Sequence, residues 1–224
     1  MIQMRLGAAI LLAAAMLSPA AAASAAEPDW RAAVRSYATE HFKHPAWGYS
    51  HHIRDYQLAR QMAEADHARI DDDVLFAAAY LHDMGAFDPW DKQKGDHADI
   101  GADGVVQILK DTGFPMAKLD AVRAAIRTHM YGRDPAQPEA QYLHDADALD
   151  WLGAIGVARL IALADPGGKA PTVPDTIKRI EQLAADVPAR VVTPAGRALV
   201  APRLAETRQF LDELGKESDG YKAL

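Results

Sequence analysis

Residues 74–83 read VLFAAAYLHD, and this stretch of the 224-residue chain decides the fold. Its first eight residues are apolar on every side of a helix, which indicates a helix that is buried on all faces. The preceding Asp71 to Asp73 supply candidate N-caps and carboxylates that favour a helix N-terminus. Gly85 is expected to end the helix. The stretch therefore predicts a buried central helix in an all-α protein.

Two polar residues, His82 and Asp83, end this apolar helix. Adjacent residues in the middle of a helix point about 100 degrees apart, whereas at a helix terminus both side chains can turn toward one point. Burial of an imidazole and a carboxylate is unfavourable unless a partner satisfies them. That partner is either a bound metal ion or a local hydrogen bond that caps the helix. The doublet alone leaves both interpretations open.

The rest of the chain has a helical pattern almost throughout. Alternating β-branched stretches are absent, so we expect little or no sheet. Thr193-Pro194 is a start signal for the last helix, because a capping side chain precedes proline at the first helical position. The Pro/Gly-rich segment 165–174 is expected to be a loop, and the whole is expected to form one domain. Besides the central helix, the expected helices cover residues 29–41, 50–67, 97–109, 116–129, 147–163, 174–185 and 194–214.

The amino-acid composition limits the kinds of functional site that the chain can form. The chain carries a formal net charge of −7 and contains no cysteine. Without cysteine it can form neither disulfides nor thiolate metal sites, so any metal must be held by nitrogen and oxygen. The acidic balance gives no basic track, and we expect no binding of a nucleic-acid polymer.

The first 26 residues have the pattern of a secretory signal peptide. A charged start ends at Arg5, an apolar run follows from Leu6 to Leu17, and small residues stand at Ser24 and Ala26. The apolar run is too short to span a bilayer comfortably. We therefore expect the mature chain to begin near Glu27, to be periplasmic or secreted, and to have no stable membrane insertion after cleavage. The sequence carries no indication of the oligomeric state.

Histidines and carboxylates recur on both sides of the doublet. The pair His51-His52 lies on the preceding predicted helix, and residues 144–150 read HDADALD. A histidine, then His-Asp on an apolar helix, then a distant aspartate opening another helix resembles the HD-domain superfamily of metal-dependent phosphohydrolases, in its small bacterial single-domain form. The segments that carry the resemblance are HHIRDYQLARQMAE (51–64), VLFAAAYLHDMG (74–85), DHADIGADGVVQIL (96–109), LDAVRAAIRTHMYG (119–132), YLHDADALDWLGAIGVARL (142–160) and TPAGRALVAPRLAETRQFLDEL (193–214).

The resemblance implies an all-α, single-domain helical bundle of the HD-domain type over residues 27–224. Its HD core would cover about 47–165, and its C-terminal helices about 172–215. The metal ligands that it implies are His52, His82, Asp83 and Asp147.

For two of these ligands, a nearby residue of the same type is an alternative. His52 is preferred to His51 because the residues that follow it fall near the expected register. Asp147 is preferred to Asp145 because it precedes Ala148-Leu149, as in related motifs. Both alternatives stay open at the level of sequence.

Further residues are assigned to the site by the same resemblance. His97 and His129 stand where some members hold a second metal, bridged by the aspartate of the doublet, and where others face the substrate phosphate. The expected catalytic residues are Asp83, His97, His129 and Asp150, the last three as candidates to shuttle a proton. Basic residues near the ligands that could contact a phosphate are Arg54, Lys92, Lys94, Arg127 and Arg133.

The expected cofactor is one divalent metal ion, or two, and a ligand set of histidine and carboxylate suits Mn²⁺, Fe²⁺, Ni²⁺ or Zn²⁺. The expected activity is hydrolysis of a small phosphorylated substrate, a phosphate ester or nucleotide, by attack of a metal-bound water. One alternative is a di-iron oxygenase or hydratase that uses the same ligands. The other is a non-catalytic periplasmic domain that binds a metal or another ligand.

Overall fold

The computed structural model describes residues 29–165 and 171–224, and within them it is all-helical, with no strand. The expected signal peptide, residues 1–26, lies outside the described residues, as do residues 166–170 of the expected loop at 165–174. No helix in the described part of the chain is both long and apolar enough to span a bilayer. The helices in these ranges are α1 (Asp29–His41), α2 (Tyr49–Ala65), α3 (Asp72–Leu81), α4 (His97–Leu109), α5 (Leu119–Arg127), α6 (Pro138–Asp150), α7 (Gly153–Ile161), α8 (Val173–Asp186) and α9 (Pro194–Glu217).

Helix α3 is the centre of the core, as its apolar sequence predicts. Every residue from Val74 to Leu81 is buried, and α1, α2, α5 and α6 pack around the helix. Asp71 is the N-cap, and its carboxylate accepts hydrogen bonds from the backbone N–H groups of Asp73 and Val74. A helix enclosed in this way holds the residues at its C-terminal end in a fixed place, and those residues are the doublet.

The prediction of one helix over residues 147–163 is wrong. Helix α6 begins nine residues earlier with Pro138 at its start, and α7 begins separately at Gly153. The break follows from the backbone, because Gly153 has a φ of +72°, a left-handed conformation that only glycine adopts without strain. Asp147 therefore lies in the last turn of α6 and does not open a helix.

Hydrogen bonds connect the C-terminal part of the chain to α6. The Asp145 carboxylate accepts hydrogen bonds from the backbone N–H groups of Val192 and Thr193 and from the Thr193 hydroxyl. Thr193 in turn caps α9 by accepting from the Gly196 N–H, so the predicted start of this helix is confirmed. A guanidinium of α9, that of Arg203, donates to the Leu149 carbonyl. The end of α6 is thus held from the C-terminal side of the chain.

Candidate metal centre

Histidines and aspartates from five elements converge in the core. Helix α2 contributes residues from its first turns, the doublet follows α3, and the last turns of α6 contribute carboxylates. One histidine begins α4 and another follows α5. The members of this cluster are His51, His52, Asp55, His82, Asp83, His97, His129 and Asp147.

Four of these side chains form the largest group among the described residues. The ligand atoms of His51, Asp55, His82 and Asp147 all lie within 4.8 Å of one another. The Nε2 atom of His51 is 3.2 Å from Asp55 Oδ2, 3.3 Å from Asp147 Oδ1 and 3.3 Å from His82 Nε2. All four side chains are buried. One ion could contact all of these atoms.

Asp83 stands between this group and a second one. Its Oδ2 lies 3.4 Å from His82 Nε2 and 3.8 Å from His51 Nε2. Its Oδ1 lies 3.3 Å from His97 Nε2 and 3.4 Å from His129 Nε2. The two oxygens of one carboxylate therefore face two groups of imidazoles, which is the arrangement expected of a carboxylate that joins two neighbouring cation sites.

The N-terminus of α4 approaches the doublet closely enough to deliver His97. Asp96 caps the helix, with its carboxylate accepting from the Ala98 N–H. Gly85 makes the approach possible, because a Cβ atom there would collide with the His97 carbonyl oxygen. His97 remains partly exposed, at 29% of its side chain, unlike the other histidines of the cluster.

Of the two adjacent histidines, His51 is the one beside Asp147, while the sequence favoured His52 as the ligand. His52 belongs to a separate group with His82 and Asp83, and its Nε2 lies 4.0 Å from Asp83 Oδ2. Its ring packs against Phe42, with the ring centroids 4.8 Å apart. The two histidines are adjacent on α2, so sequence register could not separate them.

The imidazole rings are held with one nitrogen facing the cluster. The Nδ1 atoms of His52, His82 and His129 contact the backbone carbonyl oxygens of Tyr80, Ala79 and Ile126, at 2.9, 2.9 and 2.6 Å. A carbonyl can only accept, so each Nδ1 carries a proton, and Nε2 is the ring nitrogen that faces the cluster.

Several of the atoms that face the cluster have no hydrogen-bond partner although they are fully buried. They are the Nε2 atoms of His52 and His129 and both carboxylate oxygens of Asp55. Buried polar groups are rarely left unpaired in native proteins. Imidazole nitrogens and carboxylate oxygens in this arrangement fit a divalent metal, so the helical fold carries a buried cluster capable of binding one.

The charges of the cluster depend on one another. Burial lowers the pKa of His51, but attraction by Asp55 and hydrogen bonds to Asp147 and Asp150 outweigh it and raise the pKa to about 10. Burial raises the pKa of Asp55 to about 7. Burial alone would also raise the pKa of Asp83, but the histidines around it hold that pKa well below its usual range. Without a bound cation, protonated imidazoles thus balance the negative charge of the carboxylates.

Asp150 is part of the support of the cluster. Its Oδ2 accepts from His51 Nδ1 at 2.8 Å, and the guanidinium groups of Arg54 and Arg159 each donate to the same oxygen at 2.8 Å. These contacts outweigh burial and lower the pKa of Asp150. A carboxylate held by two guanidinium groups is a poor proton shuttle, the role expected from the sequence, and a suitable group to orient His51.

The position of Asp145 separates it from Asp147. Asp145 is buried beneath the start of α9, where its carboxylate accepts from three donors and also contacts His144 Nδ1 at 3.0 Å. Asp147 lies two residues on, 3.3 Å from His51. Asp147 therefore belongs to the cluster, whereas Asp145 is occupied by the donors before α9.

A cavity of about 230 Å³ opens onto the cluster. Asp83, His97 and Asp147 form part of its wall. The rest of the lining is aromatic and apolar, apart from the guanidinium of Arg179, which comes from α8. These remaining residues are Trp47, Ala86, Met130, Tyr131, Trp151 and Arg179.

The basic residues that the sequence suggested as phosphate contacts do not line this cavity, as far as the described residues show. Each of the three arginines pairs with carboxylates elsewhere, and Lys92 pairs with Asp88 on the surface, while Lys94 is exposed. The arginine pairs are Arg54 with Asp150, Arg127 with Asp99 and Asp103, and Arg133 with Asp96 and Asp99.

Sequence reasoning missed several residues of this region. Asp55 follows His51 by four positions, the spacing that places two side chains on one helix face, so a search for that spacing would have found it. Trp47, Trp151 and Arg179 carry no such signal. They come together only through the packing of α2, α6 and α8 around the cavity.

The HD-domain family model matches residues 48–152. Solved structures share the fold over most of the chain. A protein of Lactobacillus plantarum is 23% identical, with 84% of this chain and 96% of that chain covered and a TM-score of 0.64. Bacillus subtilis YpgQ in complex with ADP is 21% identical, with 85% and 98% covered and a TM-score of 0.63. A predicted HD superfamily hydrolase of an uncultured Thermotogales bacterium is 26% identical, with 84% and 90% covered and a TM-score of 0.58.

An HD domain is matched at residues 48–152, and solved structures with a similar fold include HD-superfamily hydrolases. The resemblance drawn from the sequence is thereby confirmed. No match was found among curated proteins.

Proposed function

We propose that this protein is a metal-dependent phosphohydrolase that cleaves a small phosphate ester or nucleotide. The observation that carries the proposal is the buried cluster of histidines and aspartates that forms one wall of the cavity. The proposed ligands are His51, His82, Asp83 and Asp147, with His51 in place of His52. The metal is proposed to be Mn²⁺, Fe²⁺, Ni²⁺ or Zn²⁺, as one ion or two.

A metal bound there would lower the pKa of a water ligand and polarise a phosphoryl oxygen. The chain's own groups supply the remaining chemistry. His97 lines the cavity, is partly exposed, and holds its Nε2 3.3 Å from Asp83 Oδ1. The hydrogen bond to Asp83 raises the pKa of His97, which favours the protonated ring and makes it the candidate to donate a proton to a leaving oxygen. Asp150 keeps His51 in place.

The cavity walls support a substrate that has an apolar or aromatic part beside its phosphate. Trp47, Tyr131 and Trp151 offer ring faces to such a group, and Arg179 offers a guanidinium to an anionic oxygen. One structural neighbour, YpgQ, was solved in complex with ADP, which has both features. A nucleoside phosphate is therefore the first substrate class to test. The export expected from residues 1–26 would place this activity outside the cytoplasm.

The test is phosphate release by purified protein loaded with Mn²⁺, Ni²⁺ or Zn²⁺. The substrates are p-nitrophenyl phosphate, bis-p-nitrophenyl phosphate and a panel of nucleotides. We expect turnover by the natural protein, and a loss of more than about a hundredfold in Asp83→Ala, because even changes behind a ligand reduce activity 10–100-fold. Asp103→Ala is the matched control, since that carboxylate is 75% exposed and pairs only with Arg127 among the ion pairs of the described residues.

Absence of phosphate release under all these conditions would contradict the proposal. Oxygen uptake by the iron-loaded protein in the same experiment would instead favour the oxygenase alternative. Turnover that is equal in the natural protein and Asp83→Ala would show that the activity belongs to a contaminant.

A further inference from the structure

Asp55 is a buried carboxylate without a hydrogen-bond donor. It lies on α2 one turn after His51, its side chain has no solvent exposure, and both of its oxygens lack a hydrogen-bond partner. The nearest cationic groups are the Nε2 atoms of His51 at 3.2 Å and His82 at 3.7 Å. An ionised carboxylate is strongly disfavoured in such a place unless a positive charge balances it.

The other buried carboxylates beside it show how this chain treats a structural aspartate. Asp145 accepts from two backbone N–H groups and one hydroxyl. Asp150 accepts from two guanidinium groups and an imidazole. Asp55 has no comparable set of donors, and the groups around it are the proposed metal ligands. Its missing partner is therefore a cation.

We propose that Asp55 is itself a metal ligand that shares one ion with His51, His82 and Asp147. This inference rests on the metal centre of the proposed function. It gives the centre three carboxylates, Asp55, Asp83 and Asp147, beside its imidazoles. A ligand set so rich in oxygen suits Mn²⁺, which is accordingly the probe of choice.

The test is titration of the metal-free full chain with Mn²⁺, followed by calorimetry and by thermal unfolding with and without the ion. In Asp55→Asn, which keeps the shape of the side chain, we expect the Mn²⁺ affinity to fall by at least about tenfold, because a ligand matters more than the groups behind it. Thermal unfolding of the metal-free variant checks that it is folded. Asp55→Leu serves as a second variant if the amide does not fold.

Asp145→Asn is the matched control, a buried aspartate of the same fold outside the cluster. It should lower the metal-free melting temperature and leave the Mn²⁺ affinity unchanged. An unchanged Mn²⁺ affinity in Asp55→Asn would overturn the inference and leave Asp55 as an ion-pair partner of protonated His51. If the natural protein itself binds no Mn²⁺, Ni²⁺ or Zn²⁺, the metal centre and the proposed function fail together. An unchanged affinity in Asp55→Asn, with the natural protein still binding Mn²⁺, would instead exclude only the role of Asp55.

Discussion

At the scale of single residues, the contact between Asp150 and His51 links the cluster to its surroundings. The carboxylate accepts from His51 Nδ1, which leaves the Nε2 atom directed at Asp147. Arg54 and Arg159 keep the carboxylate ionised and fixed in orientation. Carboxylates behind a ligand histidine have this effect in many metal sites, where they fix the ring and increase its basicity.

Replacing Asp150 should therefore weaken metal binding without removing a ligand. We expect Asp150→Asn to reduce the Mn²⁺ affinity about 10–100-fold, since the amide no longer fixes the His51 ring. The measurement is a calorimetric titration at a temperature where circular dichroism shows the variant to be folded, because two buried guanidinium groups lose their counter-charge. Arg54→Gln should have a smaller effect, since Arg159 still holds the carboxylate. An Asp150→Asn affinity equal to that of the natural protein would argue against this role.

The residues predicted from the sequence were those with a local signal. His82 and Asp83 end an apolar helix, and Asp147 stands in an acidic cluster. Each could therefore be recognised from the neighbouring residues in the sequence. The choice between His51 and His52 depends on which side of α2 faces α6. The role of Asp150 depends on Arg159, which lies on another helix. Such relations arise from packing, and no spacing in the sequence expresses them.

At the scale of elements, the N-terminus of α3 is anchored by charge. Asp73 lies in its first turn and binds the Arg31 guanidinium of α1 and the Lys118 ammonium before α5, at 2.7 and 2.8 Å. The hydrogen bonds to Lys118 and Arg31 lower the pKa of Asp73 from its ordinary value of 3.8. The central helix is thus tied at its start to two of the helices that enclose it.

This network makes stability depend on acidity in a defined direction. A depressed pKa in the folded state gives stability that is present above the ordinary value of 3.8 and is lost as the pH falls through the folded-state pKa. Asp73→Asn should therefore lower the free energy of unfolding near neutral pH, by less than about 1 kcal/mol because the pair is partly exposed. The difference from the natural protein should vanish in strong acid.

Urea unfolding of the metal-free protein at several pH values measures this difference. Asp120→Asn is the control, since that side chain is 98% exposed and should give no effect at any pH. A difference between Asp73→Asn and the natural protein that is constant from neutral to acidic pH would contradict the assignment.

Helix boundaries were predicted well where the caps are local and poorly where they are not. Thr193-Pro194 and Asp71 gave the starts of α9 and, to within two residues, α3. The division between α6 and α7 was missed, because other glycines of this chain, such as Gly101 and Gly104, lie within a helix and only the backbone shows that Gly153 adopts a left-handed conformation.

At the scale of the whole molecule, the cluster places several carboxylates and histidines together in the core. In the metal-free state these charges are balanced among themselves, with His51 next to Asp55 and Asp147. A cation that binds only the folded chain would stabilise it by mass action. The site is therefore expected to contribute to folding as well as to chemistry.

Metal should raise the melting temperature of the whole chain. At a free Mn²⁺ concentration about 100 times the dissociation constant, the expected gain is about 2.7 kcal/mol. For a chain of this size, that gain corresponds to roughly 5–10 °C. Differential scanning calorimetry with Mn²⁺, and again after excess chelator, measures the shift and its reversal. An equal shift in Asp83→Ala would mean that the ion acts elsewhere on the protein.

The hydrogen bonds that Asp145 accepts from the residues just before α9 bear on how much of the chain the site needs. The family match ends at residue 152, yet the donors that satisfy Asp145 come from residues 192 and 193, and Arg159 and Arg203 also lie beyond that match. A chain shortened to the matched region would keep the proposed metal ligands, but Asp145 would lose its donors from residues 192 and 193, and Asp150 would lose Arg159. The region that matches the family model is thus smaller than the part of the chain that keeps the surroundings of the site intact. Transferring the site to another protein would require the C-terminal helices as well.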